Sequence, residues 1–213
     1  MKYLFASLLI CAVAGLASGC GSGKSAAHAN RDPVGCPKAW AAGWHKLANQ
    51  IHAPVYCPRW MPAPLTGQIV GPVSFGGAGG VSLSVSPDRS YLASFVWAEP
   101  GSGEVHVNLR GYPGRTKVPT CIEENTNGPT KLIKTNVPCF ADPHGSVSEH
   151  RIKATVYTVN QDADLWHVLY AWHHAGGLYT VSEHVAAPLT YDKVIANLKR
   201  ILRNLVLVQP RTT

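Results

Sequence analysis

The chain has 213 residues and carries 19 Lys+Arg against 12 Asp+Glu, a formal net charge of +7. With 46% hydrophobic and 15% charged residues it can bury a sizeable core, which excludes a disordered polyelectrolyte. Its basic residues are dispersed, the densest group being Lys199, Arg200 and Arg203. The basic stripe with interleaved aromatics that a nucleic acid needs is missing, so no nucleic acid is expected as a partner.

The chain opens on Lys2, an uncharged apolar run from Tyr3 to Leu16, and small residues up to Cys20. This is the three-part pattern of a signal peptide, and the run is shorter than the roughly 20 residues of a spanning helix. The overlapping stretch "ASGCGSGKS", residues 17–25, ends like a phosphate-binding loop in Gly23-Lys24-Ser25. Such a loop needs a glycine where Ser18 stands, and Gly19 comes one residue late, so backbone N–H groups cannot wrap a phosphate in that register. Leu16-Ala17-Ser18-Gly19-Cys20 instead resembles the lipobox of bacterial lipoproteins, with Ala17 where a larger aliphatic residue is commoner. The resemblance implies cleavage before Cys20, diacylglycerol on its sulfur, and an extracytoplasmic protein lipid-anchored to the bacterial cell membrane. Two or three acyl chains, at about 0.8 kcal/mol per buried CH₂, make such an anchor stable. The expected organisation is a signal peptide over 1–19, a flexible Gly/Ser/Ala-rich tether over 20–33 and a single domain over 34–213.

Cys11 leaves with the signal peptide and Cys20 is taken by lipid, so Cys36, Cys57, Cys121 and Cys139 remain. An even remainder in an exported chain reads as two disulfides. Three pairings are possible; Cys36–Cys57 and Cys121–Cys139 are favoured because each closes a self-contained segment, worth about 3 kcal/mol by loop entropy. No Cys-x₂-Cys pair points to a zinc site.

In "CPKAWAAGWHKLANQI" the residues Trp40, Trp44, Leu47 and Ile51 fall on one helical face, with Pro37 suited to the first turn. "CPRWMPAPL" follows with three prolines between 58 and 64 and is expected to run extended along the surface. The period then changes to two. Strands are expected over 68–73, 81–85, 91–97 and 104–109, separated by the turn-forming clusters "FGGAGG", "SPDRS" and "EPGSG". Residues 110–140 read as a polar excursion rich in Gly, Pro and Asn, held by the second disulfide and offering a recognition surface.

A further strand is expected over 151–159 and a long hairpin over 165–185 turning at "HHAGG". With the turn at Ala175-Gly176, Trp172 opposes Tyr179, and Trp166, Val168, Tyr170 and Trp172 share the core face with Tyr179, Val181 and Val185. The same register sets His167 opposite His184 on the more polar face with His173; a turn one residue later breaks that opposition. Finally "LTYDKVIANLKRILRNLVLV" reads as a helix with Thr190 as N-cap, Asp192 in the first turn, and Val194, Leu198, Ile201 and Leu205 on its apolar face. The fold class is therefore α+β: an antiparallel sheet packed by a C-terminal helix, with a disulfide-stapled N-terminal helix. The ending "WHHAGGLYTVSEHVAAPLTYDKVIANLKRIL" resembles the close of exported modules of the lipoprotein-carrier and sigma-regulator sensor type. That resemblance implies a half-open sheet with a helix-lined groove for an acyl chain or a peptide.

Candidate chemistry is sparse. The pair His167 and His184 could seed a zinc or copper site. Asp142, His144, Glu149 and His150 form the densest acid–base cluster, although beside "DPHG" they suit turn chemistry. The paired carboxylates Glu123-Glu124 and Asp162-Asp164 lie in loop-like contexts, and no Gly-x-Ser-x-Gly elbow is present. The reading is a non-enzymatic lipoprotein, joined to the membrane through Cys20, that binds an apolar ligand or an envelope protein, lipid or polymer. Its alternatives are an envelope hydrolase and, third, a metal-binding lipoprotein; no cofactor is expected.

Overall fold

A computed structural model describes residues 35–66, 79–99, 103–126, 132–159 and 166–211. The signal peptide, Cys20, the tether, the strand expected over 68–73 and the pair Asp162-Asp164 lie outside the described residues. In chain order the elements are helix α1 (Lys38–Ile51) and strands β1 (Val55–Pro58), β2 (Gly79–Val85), β3 (Tyr91–Glu99) and β4 (Gly103–Tyr112). These are followed by β5 (Thr120–Thr126), β6 (Leu132–Pro138), β7 (Ser146–Glu149), β8 (Ile152–Val159), β9 (His167–His174) and β10 (Gly177–His184). Helix α2 (Tyr191–Arg203) and β11 (Leu205–Val208) complete the chain.

Period-two alternation gives each central strand one apolar face, and backbone pairing joins seven strands into one sheet, ordered β2-β3-β4-β10-β9-β8-β7 and antiparallel throughout. Phe95 opposes Val107, Leu109 opposes Val181, and Val181 opposes Tyr170, so these side chains share one face. That face is the main core, completed by Trp40, Trp44, Leu47 and Ile51 of α1 and Val194, Leu198 and Ile201 of α2. Burying each such side chain stabilises by about 1.5–3 kcal/mol. Trp40 stacks on Phe95 with ring centroids 5.4 Å apart, and Tyr56 meets Trp172 and Tyr179 edge-on. The fold is α+β, with α2 packed on the sheet.

The stripe of α1 lies where the spacing puts it, as does that of α2 as far as Ile201. Pro37 sits at the N-cap of α1, and Thr190 caps α2 by accepting from the Lys193 N–H at 3.4 Å. Disulfides join Cys36 to Cys57 and Cys121 to Cys139, the first tying the start of α1 to β1. The hairpin β9–β10 turns at Ala175-Gly176, with Trp172 opposite Tyr179.

Four expectations are corrected. The segment "CPRWMPAPL" is not a surface strap: Val55–Pro58 pairs with β11, and Cys57, Met61 and Leu65 are fully buried. The apolar face of the last helix does not reach Leu205, because the chain leaves α2 at Asn204 and the apolar run "LVLV", with two β-branched valines, pairs with β1. Residues 110–140 are not all one excursion: Arg110 to Tyr112 finish β4, and β5 and β6 form a separate two-stranded ribbon, which the second disulfide holds as expected. Trp166 leaves the core face, since it precedes β9 with φ at +60° and stands 61% exposed.

Candidate functional site

Two places on the sheet hold features beyond packing. The first is a groove of about 360 Å³ between α1 and the outer end of the sheet, lined by Trp40, Trp44 and Leu47 on the helix and Val81, Leu83 and Ala93 on β2 and β3. The local cause is the end of the sheet: among the described residues β2 is the outermost strand, and α1 closes over Val81 but leaves Leu83 38% exposed. Gly43 removes a side chain from the helix at this point, and a Cβ there would meet nothing within 4 Å. Lys46 and Gln50 supply the polar part of the lining. The volume lies at the small end of the range for small-molecule sites, and the apolar lining with few polar groups matches their chemistry.

The second lies on the opposite face of the sheet. Alternation that points Val105 and Val107 into the core points Glu104, His106 and Asn108 the other way, and pairing of β4 with β10 puts Ser182 and His184 beside them. Glu104 is fixed at the strand start, where its N–H donates to the Ala187 carbonyl at 3.0 Å. Gly103 permits that approach, since a Cβ there would sit 2.0 Å from the same carbonyl oxygen. His106 places Nδ1 3.2 Å from Glu104 Oε1, and its Nε2 lies 2.9 Å from Asn108 Oδ1 and 3.0 Å from Ser94 Oγ. His184 Nδ1 lies 3.8 Å from the same Glu104 oxygen. His167 is opposite His184, as the turn at Ala175-Gly176 requires; its ring stacks on that of His184 at 5.0 Å and meets that of His106 edge-on at 5.1 Å.

Ser94, His106 and Glu104 have the spacing of a serine–histidine–carboxylate relay. Two features count against its use in acyl transfer. The Asn108 carbonyl faces the nitrogen that would take the serine proton. Ser94 lies in β3 between β2 and β4, opposite Ser82 and Asn108, so its backbone is engaged in the ladder rather than offered to an oxyanion.

The other candidates do not gather into one site. Asp142, with φ at +57°, and His144 are exposed, the His144 N–H donating to the Val156 carbonyl; His150 forms the β7–β8 turn with φ at +53°. Glu149 pairs with Arg203 at 3.6 Å. Glu123 and Glu124 point to opposite faces of the β5–β6 ribbon, where Glu124 binds Lys134. Ile122 and Ile133 are exposed on that ribbon but also on opposite faces, so they do not combine into one apolar patch. His173 holds the Thr116 carbonyl at 2.9 Å. Among the described residues, Glu104, His106 and His184 alone form a group of three His, Cys, Asp or Glu whose ligand atoms lie within 4.8 Å of one another.

Glu104 and His106 escaped the sequence reading, because β4 meets β10 only through the folded sheet; the signal was the alternation "EVHVN", with three polar residues on one edge. Glu183 escaped too. It is fully buried on the helix face, receives a hydrogen bond from Asn197 Nδ2 at 2.8 Å, and burial pushes its carboxyl up to about 8. No family model, no curated protein and no solved structure matches this chain.

Proposed function

We propose that the chain is a lipoprotein of the bacterial envelope, cut before Cys20 and held outside the cytoplasmic membrane by diacylglycerol on that sulfur. Its domain is a non-enzymatic binding module that takes an apolar ligand in the groove between α1 and β2–β3. The observation that carries this is the groove: about 360 Å³ of open space floored by two tryptophans, a leucine and three aliphatic strand residues. Its occupant is a single acyl chain with an anionic head, the tail along Trp40, Trp44 and Leu83 and the head beside Lys46. The two disulfides suit an oxidising compartment. Among the described residues no helix is long and apolar enough to cross a membrane.

Native mass spectrometry of the protein, extracted from its own membrane in mild detergent, tests both parts. The expected spectrum shows acylated Cys20, four protons fewer than the reduced chain, and a retained mass equal to a fatty acid or lysolipid. An unacylated Cys20 defeats the anchor. For the groove, titration with a long-chain fatty acid, read by tryptophan fluorescence, should saturate in the native protein, and Gly43→Phe should weaken it at least about tenfold by filling the space. Equal binding by Gly43→Phe would place the ligand elsewhere.

A further inference from the structure

We infer that Glu104, His106 and His184 form a zinc site on the sheet face opposite the helices, independent of the apolar groove. The argument starts from protons. Asn108 turns a carbonyl oxygen to His106 Nε2 at 2.9 Å, and a carbonyl only accepts, so Nε2 carries a proton, and in the neutral imidazole Nδ1 then presents a lone pair. That lone pair faces the Glu104 carboxylate at 3.2 Å. His184 Nδ1 points to the same oxygen at 3.8 Å, is buried, and has no hydrogen-bond partner among the described residues. Three potential ligand atoms, two imidazole nitrogens and a carboxylate oxygen, therefore surround one point. A proton on His106 would satisfy one contact, whereas a cation satisfies all three.

The donor set selects the cation. Two imidazoles and one carboxylate suit zinc, while calcium and magnesium need six or more oxygens. Tetrahedral bonds of 2.0–2.1 Å put neighbouring ligand atoms roughly 3.3 Å apart. The observed 3.2 and 3.8 Å, with every ligand atom within 4.8 Å of the others, fit after a small rotation of side chains. The surroundings orient the ligands as metal sites require: Asn108 and Ser94 hold the far nitrogen of His106, and the His167 ring stacks against His184. The side chains of Glu104, His106 and His184 are 39%, 19% and 22% exposed, which leaves an entry path and room for a fourth ligand from solvent.

The test is calorimetric titration of zinc chloride into chelator-treated full chain in mild detergent, with thermal unfolding read in parallel. One zinc per chain and a raised Tm are expected, since a ligand of the native state stabilises it. His184→Ala and Glu104→Gln should each lose that zinc, and Asn108→Ala should bind about 10–100-fold more weakly. If His184→Ala does not fold, Glu104→Gln decides, because its side chain is partly exposed and Gln keeps its shape. Zinc retained by Glu104→Gln would place the metal on other histidines and overturn the assignment, as would absence of stoichiometric zinc. Labelling of Ser94 by a fluorophosphonate probe would overturn it in favour of the hydrolase relay. Fatty-acid binding is read separately, so failure of the groove leaves this result unaffected.

Discussion

The two faces of the seven-stranded sheet are written by alternate residues of the same strands, yet they are different materials. On the helix face Val105, Val107, Leu109, Tyr170 and Val181 meet α1 and α2 in an apolar core, with Glu183 as its buried acid. On the opposite face Ser94, Asn108, His167, Thr180 and Ser182 are also nearly fully buried, although all are polar, and only Phe140, Val159, Leu169, Ala171 and Leu178 form a smaller apolar cluster. Burial is therefore not what separates the faces. The first face is held by apolar area, and the second by polar groups whose value depends on being paired. A site that needs fixed donors and acceptors belongs on the second, and a site that needs oily surface belongs in the open groove of the first.

The largest effects should separate the faces by cavity formation. Leu198→Ala, in the main core, is expected to cost about 2–5 kcal/mol in denaturant unfolding, and Leu169→Ala, in the smaller cluster, the low end of that range. Equal losses would show that the second face is packed as tightly as the first. Next come the disulfides, each closing a loop worth about 3 kcal/mol. Cys36→Ser with Cys57→Ser frees α1 from β1 and should abolish fatty-acid binding as well as stability. Cys121→Ser with Cys139→Ser should lower stability while leaving binding in the groove intact.

Glu183 sharpens the comparison through pH. Its folded carboxyl titrates near 8 against an ordinary 4.5, so between those values the folded chain holds a proton that the unfolded chain has lost. Its contribution is thus fully favourable below about pH 4.5 and fades as pH rises toward 8, by up to roughly 1.4 kcal/mol per pH unit. Glu183→Gln keeps an oxygen for Asn197 and removes the titration. At pH 7, with a chelator present, it should stabilise by about 1–3 kcal/mol and flatten the slope. A slope unchanged by the substitution would assign the pH dependence to another group.

Elements whose local pattern agrees with their final partner were legible. The stripe Trp40–Trp44–Leu47–Ile51 and the cap at Thr190 announce helices, and Ala175-Gly176 sets the hairpin register that puts His167 against His184. Elements that owe their state to a distant partner were not. "LVLV" after α2 continues the helical apolar spacing, and only pairing with Val55–Pro58 makes it a strand. Strands β5 and β6 carry polar residues on both faces, so no alternation marks them. The histidine site shares this limit: His184 was visible as half of a hairpin pair, but Glu104 and His106 join it across the β4–β10 ladder. The groove was half visible, since its tryptophans belong to a readable stripe while the strand residues facing them, Val81, Leu83 and Ala93, meet that stripe only in the folded sheet.

The smallest expected effect bears on that groove. Gly43 lies within α1, where glycine costs about 1 kcal/mol relative to alanine, and its missing side chain faces open space. Gly43→Ala should therefore stabilise by about 0.5–1 kcal/mol, a rise in Tm of a few degrees at most for a domain of this size. A methyl group narrows the groove without filling it, so fatty-acid affinity should change little while Gly43→Phe loses it. If Gly43→Ala were destabilising, the space beside the helix would have to be occupied in the folded protein. The groove would then be part of the core, and the contrast between a polar face and an open apolar groove would have to be redrawn.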